Sequence, residues 1–172
     1  MGVDLSLTST GISIAGESFS ITPKNKGVER LVDISERILQ LATSARPVAI
    51  MLEGYSFGSK FTRAHAIGEL GGVVKVALFR AGYKVVEIPP TCRAKFATGR
   101  GNASKNDVLL AIRNLTNRNF DGPSGDDECD AWVLEQMGLA VLNESQYEWS
   151  EAQLSALDKV DWSPLYEALG RV

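Results

Sequence analysis

The chain opens on apolar positions spaced by two. Val3, Leu5 and Leu7 alternate across residues 1–7, and the segments 11–15 and 18–21 repeat short strand-like runs on either side of Gly16-Glu17. A period of two predicts half-buried strands, and a glycine-bearing pair between two of them predicts a tight turn. Residues 1–21 therefore read as a meander of three antiparallel strands. From Val28 the period changes: Val28, Leu31, Val32, Ser35, Ile38, Leu39 and Ala42 share one helical face, and Pro47 ends a helix over 28–45. Residues 48–52 form a continuous apolar run, the pattern of a buried central strand, with Glu53 at its carboxyl end.

A second helix is predicted over 62–81. Gly68, Gly71 and Gly72 interrupt it at a cost of about 1 kcal/mol each against alanine, which makes sense if another backbone packs closely on that face. Residues 83–88 are a further strand, stopped by Pro89-Pro90, with Pro90 placed to start a short helix to Phe96. After the loop Gly99-Arg100-Gly101-Asn102, Ser104 and Asp107 have capping-box spacing and open a helix carrying Val108, Leu109, Ala111, Ile112 and Leu115. A turn-rich break at 121–125 precedes the last core helix, 126–142, and a second capping pattern at Ser150–Gln153 predicts short acidic helices in the tail. Strands first, then strands reached through helical crossovers, predict an α/β fold with one mixed five-stranded sheet, three strands antiparallel and two parallel, flanked by helices. Two segments follow: a domain over 1–143 and an acidic tail over 144–172.

Composition narrows the chemistry. The 172 residues suit about one domain, and no apolar run reaches the ~20 residues of a membrane span. No secretory signal is seen at the start, and two distant cysteines, Cys92 and Cys129, fit a reducing cytoplasm and exclude a zinc or disulfide scaffold. His65 is the single histidine, so hydrolytic chemistry must rest on carboxylates, lysines or hydroxyls. The net charge of −3 hides a division: residues 1–120 carry 16 basic and 9 acidic residues, residues 121–172 carry 2 and 12. A basic surface beside an acidic site suits a nucleic-acid partner, although uneven solvated charge gives the same count.

Four carboxylates fall at element boundaries. Asp4 lies in the first apolar strand, where an unpaired carboxylate is costly. Glu53 ends the buried strand, and functional groups collect at strand carboxyl ends in α/β sheets. Asp127 and Asp130, three apart at the start of a helix, can face one point. Each alone has a plain structural reading, as a cap, a salt-bridge partner or a loop residue. Converging on one point, the four would repel strongly and stay ionised only with cations between them. All-oxygen ligation selects Mg²⁺ or Mn²⁺, and two such ions are the arrangement for in-line attack of water on a phosphodiester.

The chain resembles the RuvC family of Holliday-junction resolvases, within the RNase H-like superfamily, over about residues 1–143. The resemblance rests on Gly2-Val3-Asp4-Leu5-Ser6-Leu7-Thr8-Ser9-Thr10-Gly11, on Ile50-Met51-Leu52-Glu53, and on Ile67-Gly68-Glu69-Leu70-Gly71-Gly72-Val73. It continues through residues 85–89 with Arg93 and Lys95, Gly99-Arg100-Gly101-Asn102-Ala103-Ser104-Lys105, and Asp127-Glu128-Cys129-Asp130-Ala131. The compact chain is more similar to bacteriophage-encoded members than to bacterial ones, which implies the host cytoplasm as its location.

The resemblance implies Asp4, Glu53, Asp127 and Asp130 as catalytic acids holding two Mg²⁺ or Mn²⁺ ions, and Lys105 as a contact to phosphate near the scissile bond. Lys60, Arg63, Arg93, Lys95, Arg100 and Lys105 are expected on the DNA, with Tyr55 and Phe57 stacking on unpaired bases. The family's aromatic three residues after the second acid falls on Ser56, which predicts relaxed cleavage preference. The implied activity is hydrolysis of opposing strands in four-way and other branched DNA by a homodimer, with helix 62–81 as the interface. An RNase H-like nuclease acting on RNA and a junction binder without cleavage stand as alternatives. An actin-like ATPase is disfavoured, because that fold needs a second, larger lobe.

Overall fold

The computed structural model describes residues 1–54 and 61–171, with no side chains for 61–64. β1 (Gly2–Asp4), β2 (Thr10–Ile14) and β3 (Glu17–Ile21) pair antiparallel in sequence order. α1 (Gly27–Ala45) carries the chain to β4 (Ile50–Glu53), which lies parallel to β1. α2 (Phe61–Arg80) leads to β5 (Val85–Ile88), parallel to β4, and the sheet order is β3-β2-β1-β4-β5. α3 (Pro90–Thr98), α4 (Lys105–Thr116) and α5 (Gly125–Val141) follow. The end of the chain holds α6 (Glu151–Leu154), a 3-10 turn at Leu157–Lys159 and α7 (Ser163–Ala168). This is the mixed five-stranded sheet the sequence predicts. No helix among the described residues is long and apolar enough to cross a membrane.

β1 is shorter than the alternation of 1–7 predicts. Ser6 and Thr10 take over the backbone bonding beyond Asp4: Ser6 N–H donates to Thr10 Oγ1 at 3.2 Å, and Thr10 Oγ1 donates to the Ser6 carbonyl at 2.8 Å. The amides of Thr8 and Ser9 also donate to Ser6 Oγ. Hydroxyls that bond locally offer the backbone an alternative to the ladder, so Asp4 becomes the last residue of its strand.

Alternating side chains feed the two faces of the sheet. Ile50 and Leu52 join Val3 and Ile12 beneath Ile34, Ile38 and Ala42 of α1 and Leu70, Val74 and Leu78 of α2. Ala49 and Met51 join Val86 and Ile88 on the other face, against Phe96 of α3, Ile112 of α4 and Trp132, Val133 and Met137 of α5. α5 is enclosed on all sides over much of its length, which explains its weak helical periodicity in the sequence. The acidic segment 144–171 shares that core through Ala156, Val160, Trp162 and Leu165. Trp149 packs on Phe96 with ring centroids 4.1 Å apart, and Gln153 Nε2 donates to the Ala97 carbonyl at 3.1 Å.

Two glycines let α5 lie flush on the sheet. A Cβ on Gly2 would sit 2.0 Å from the Ala131 carbonyl oxygen, and one on Gly11 would sit 2.0 Å from that of Asp127. Backbone meets backbone at both places, so the amino-terminal turns of α5 are pressed onto β1 and β2 where Asp4 ends its strand.

Candidate active site

Asp4 and Glu53 end the adjacent parallel strands β1 and β4, so their carboxylates leave the sheet at the same end. The Gly11 contact brings Asp127 and the next turn of α5, with Asp130, over that end. Asp4 and Asp130 are buried, while Glu53 and Asp127 keep partial exposure. Burial raises the Asp4 carboxyl well above the usual carboxylate range, and the neighbouring Glu53 carboxylate raises it further. Asp130 is pushed up to about 7, chiefly by burial, with Glu53 adding to the rise and Arg93 opposing it. Asp127 is raised by burial and by Asp126. Carboxyls displaced this far from their ordinary state by burial and by one another are the mark of a functional-site candidate.

Arg93 is the cation inside the cluster. Its Nε donates to Glu53 Oε1 at 2.9 Å and its Nη1 to Asp130 Oδ1 at 2.5 Å, and only 8 % of the residue is exposed. The sequence reading expects Arg93 on the DNA; in the fold α3 begins at Pro90 directly after β5, and its first turn buries Arg93 against the acids. Its own burial disfavours its charge, but Glu53, Asp130 and Asp4 more than offset this and keep it firmly protonated.

Lys105 is the first residue of α4, which opens with the expected capping box of Ser104 and Asp107. Its Nζ bonds the Asp126 carboxylate and lies 3.7 Å from Asp127 Oδ1. Partial burial works against its charge, but Asp126 and then Asp127 hold its pKa up. Asp126, through its hydrogen bond to Lys105, falls below the ordinary range. Nothing in the sequence separates Asp126 from an ordinary first-turn acid, and its pairing with a residue 21 positions away appears only in the fold.

Lys95 is half-buried on α3, and Arg100 is exposed in the following turn, 3.8 Å from Asp107. The structure thus brings Asp4, Glu53, Asp127, Asp130, Arg93 and Lys105 to one end of the sheet, with Lys95 and Arg100 farther along the α3–α4 segment. Tyr55, Phe57 and Lys60, and the side chain of Arg63, lie outside the described residues.

The carboxylate set has the donor chemistry of a Mg²⁺ or Mn²⁺ site, all hard oxygen with no histidine or thiolate. Among the described residues, no three His, Cys, Asp or Glu side chains are already gathered so as to hold one metal ion. Arg93 is bonded to both Glu53 and Asp130 at this end of the sheet.

A sheet of order β3-β2-β1-β4-β5 with acids at the ends of β1 and β4 and on the helix laid across them defines a nuclease of the RNase H-like class. The comparisons with known proteins narrow this. The model of the family described as crossover junction endodeoxyribonuclease RuvC matches residues 1–135, and the chain belongs to that family. The RuvC of Pseudothermotoga lettingae is 29% identical over 140 residues, spanning 77% of this chain and 86% of that protein. The RuvC of Thermus thermophilus is 27% identical over 128 residues, 66% of this chain and 77% of its own. Among solved structures, Thermus thermophilus RuvC in complex with a Holliday junction substrate superposes with a TM-score of 0.62 at 25% identity, covering 86% of this chain and 97% of that one.

Proposed function

We propose that the chain is a Mg²⁺- or Mn²⁺-dependent endonuclease that resolves four-way DNA junctions, and that Asp4, Glu53, Asp127 and Asp130 hold two ions per site. The observation that carries this reading is the placement of four carboxylates at one end of the sheet, with Asp4 and Asp130 buried and displaced upward in pKa. When bound, the divalent ions supply the positive charge that activates water and stabilises the transition state of phosphodiester hydrolysis. The chain's own groups set the stage around them. Asp4 and Glu53 fix one side of the site from the rigid sheet, and Asp127 and Asp130 fix the other from α5. Lys105, held by Asp126 at the rim, presents an ammonium at a helix amino terminus, where backbone N–H groups also favour phosphate. Lys95 and Arg100 extend that positive rim along the path of a bound strand.

A homodimer is part of the same proposal, because a four-way junction offers two equivalent strands for cleavage. The outward side of α2 exposes Val73, Val76 and Phe79, and a Cβ at Gly72 would meet nothing within 4 Å of the same chain. Such a face suits close approach of a second α2. Cutting in the cytoplasm and tolerance of several branched substrates, the latter from Ser56 in place of an aromatic, belong to this proposal too.

The test is a panel of substrates: a mobile four-way junction, a flap and an RNA–DNA hybrid, each with Mg²⁺ and with EDTA. Paired nicks in opposing junction strands, dependent on Mg²⁺ and lost in Asp4→Asn, are expected. Cleavage of the hybrid alone would move the substrate to RNA, and full cleavage in EDTA would remove the metal from the proposal.

A further inference from the structure

Arg93 has no place in the cleavage scheme above, yet it is the most deeply embedded cation at the site. A buried guanidinium is costly unless each donor finds an acceptor. Here Nε and Nη1 find theirs on two different carboxylates, Glu53 from β4 and Asp130 from α5. Both are acids assigned to the metal. The backbone behind Arg93 is fixed: its N–H donates to the Pro89 carbonyl at 3.1 Å in the first turn of α3. Residues on both sides, Cys92 and Ala94, are buried. Freedom is therefore confined to the side chain.

Two consequences of this placement act in the same direction. Each carboxylate has one oxygen committed to the guanidinium, and a divalent ion lodged between them would sit within a few ångströms of a unit positive charge. Lys105 does not duplicate this arrangement, because its ammonium lies at the exposed rim on Asp126.

We propose that Arg93 is an internal counter-cation that competes with the divalent ion for Glu53 and Asp130, and so sets how tightly the site takes metal. The inference rests on the assignment of the four acids as metal ligands. Arg93 acts through Glu53 and Asp130 and is a positioning residue. Its guanidinium occupies one oxygen of the partly exposed Glu53 and one of the buried Asp130, and its displacement is part of metal entry. Removing it leaves the acids with uncompensated negative charge, which stabilises a bound cation and destabilises the protein without one.

The experiment measures Mn²⁺ binding to the full chain without DNA, at pH 8, by calorimetry and by electron paramagnetic resonance of free Mn²⁺. Wild type, Arg93→Gln, Arg93→Lys and Asp4→Asn are compared, with melting temperatures in EDTA and in Mn²⁺. Arg93→Gln is expected to bind Mn²⁺ at least about tenfold more tightly than wild type. It should melt lower in EDTA and gain more from Mn²⁺ than wild type does. A general loss of structure cannot tighten metal binding, so the affinity separates competition from a scaffold role. Mn²⁺ bound equally or more weakly by Arg93→Gln would overturn the inference and make Arg93 an orienting clamp. If that variant does not fold, Arg93→Lys decides: a lysine keeps the charge but cannot span both carboxylates, so its affinity should rise by a smaller factor, and equal or weaker binding overturns the proposal. Binding lost in Asp4→Asn upholds the metal site whatever Arg93 does. No Mn²⁺ bound by wild type or either Arg93 variant would sink the metal site and this inference together.

Discussion

Gly11→Ala is the sharpest probe of how the acids are brought together. The added Cβ would lie 2.0 Å from the Asp127 carbonyl oxygen, 2.5 Å from its carbon and 3.2 Å from Glu128 N. All three atoms are helix backbone, so no flexible side chain can swing away. Ordinary contact begins near 3.4 Å, so the start of α5 must retreat by about 1.4 Å from β2. Overpacking of this kind costs about 1–3 kcal/mol, and each kcal/mol lowers Tm by roughly 2–4 °C in a chain of this size. The retreat moves Asp127 directly and Asp130 one turn on. A misplacement of about 1 Å at a reacting centre costs about 100-fold in rate. The expected result is a protein that is still folded at 25 °C, with single-turnover junction cleavage down about 100-fold at saturating Mg²⁺. The control is Leu78→Ala, in the core between the sheet and α2, which destabilises by about 2–5 kcal/mol without touching α5. Cleavage by Gly11→Ala at the wild-type rate, or a loss no greater than that of Leu78→Ala, would refute the idea that the Gly11 contact sets the position of the acids.

Lys105→Ala should lower the cleavage rate about 10-fold to 100-fold while junction affinity, read by gel shift, falls far less. Raising pH through about 7 ionises Asp130, so cleavage at subsaturating Mg²⁺ should climb across that pH in a rate profile. The sign for stability is opposite: the native Asp130 holds its proton to a higher pH than the unfolded chain does, so its contribution is lost as pH rises from about 4 to about 7, and Tm in EDTA should fall less steeply or not at all across that window in Asp130→Asn. A chain ending at Asn143 exposes Phe96 and Trp132 by removing Trp149, Tyr147 and the apolar residues of α7, and thermal melts should show it several kcal/mol less stable. Val76→Glu with Phe79→Glu should convert a dimer to monomers in sedimentation velocity and leave the melting temperature of the monomer nearly unchanged.

The strands, the long helices and the position of the four acids at element ends are legible in the sequence because each depends on local pattern. The apolar run before Glu53 and the Ser104–Asp107 cap both announce their elements within a few residues. What is not legible depends on which way a side chain turns once elements pack. Arg93 reads as one basic residue among several, since nothing nearby shows that α3 aims it beneath Glu53 and Asp130. Asp126 reads as a helix-start acid, because its partner lies on another helix. The segment 144–171 reads as an acidic tail, because its buried residues, Ala156, Val160, Trp162 and Leu165, are spread too thinly to form a continuous stripe. Gly2 and Gly11 look like ordinary strand glycines until α5 is laid on them.

The way α5 closes the site has a consequence for the chain during its synthesis. Asp4 and Glu53 leave the ribosome early, on strands that pair with their neighbours, whereas Asp127 and Asp130 arrive on the helix that must then dock across Gly2 and Gly11. Contacts of such long sequence separation form late, after the loop between them has been closed at an entropic cost. Half-made chains and fragments that stop before α5 carry two acids of the four and no means of placing the others. With the four acids as assigned above, a chain that stops before α5 is expected not to cut DNA.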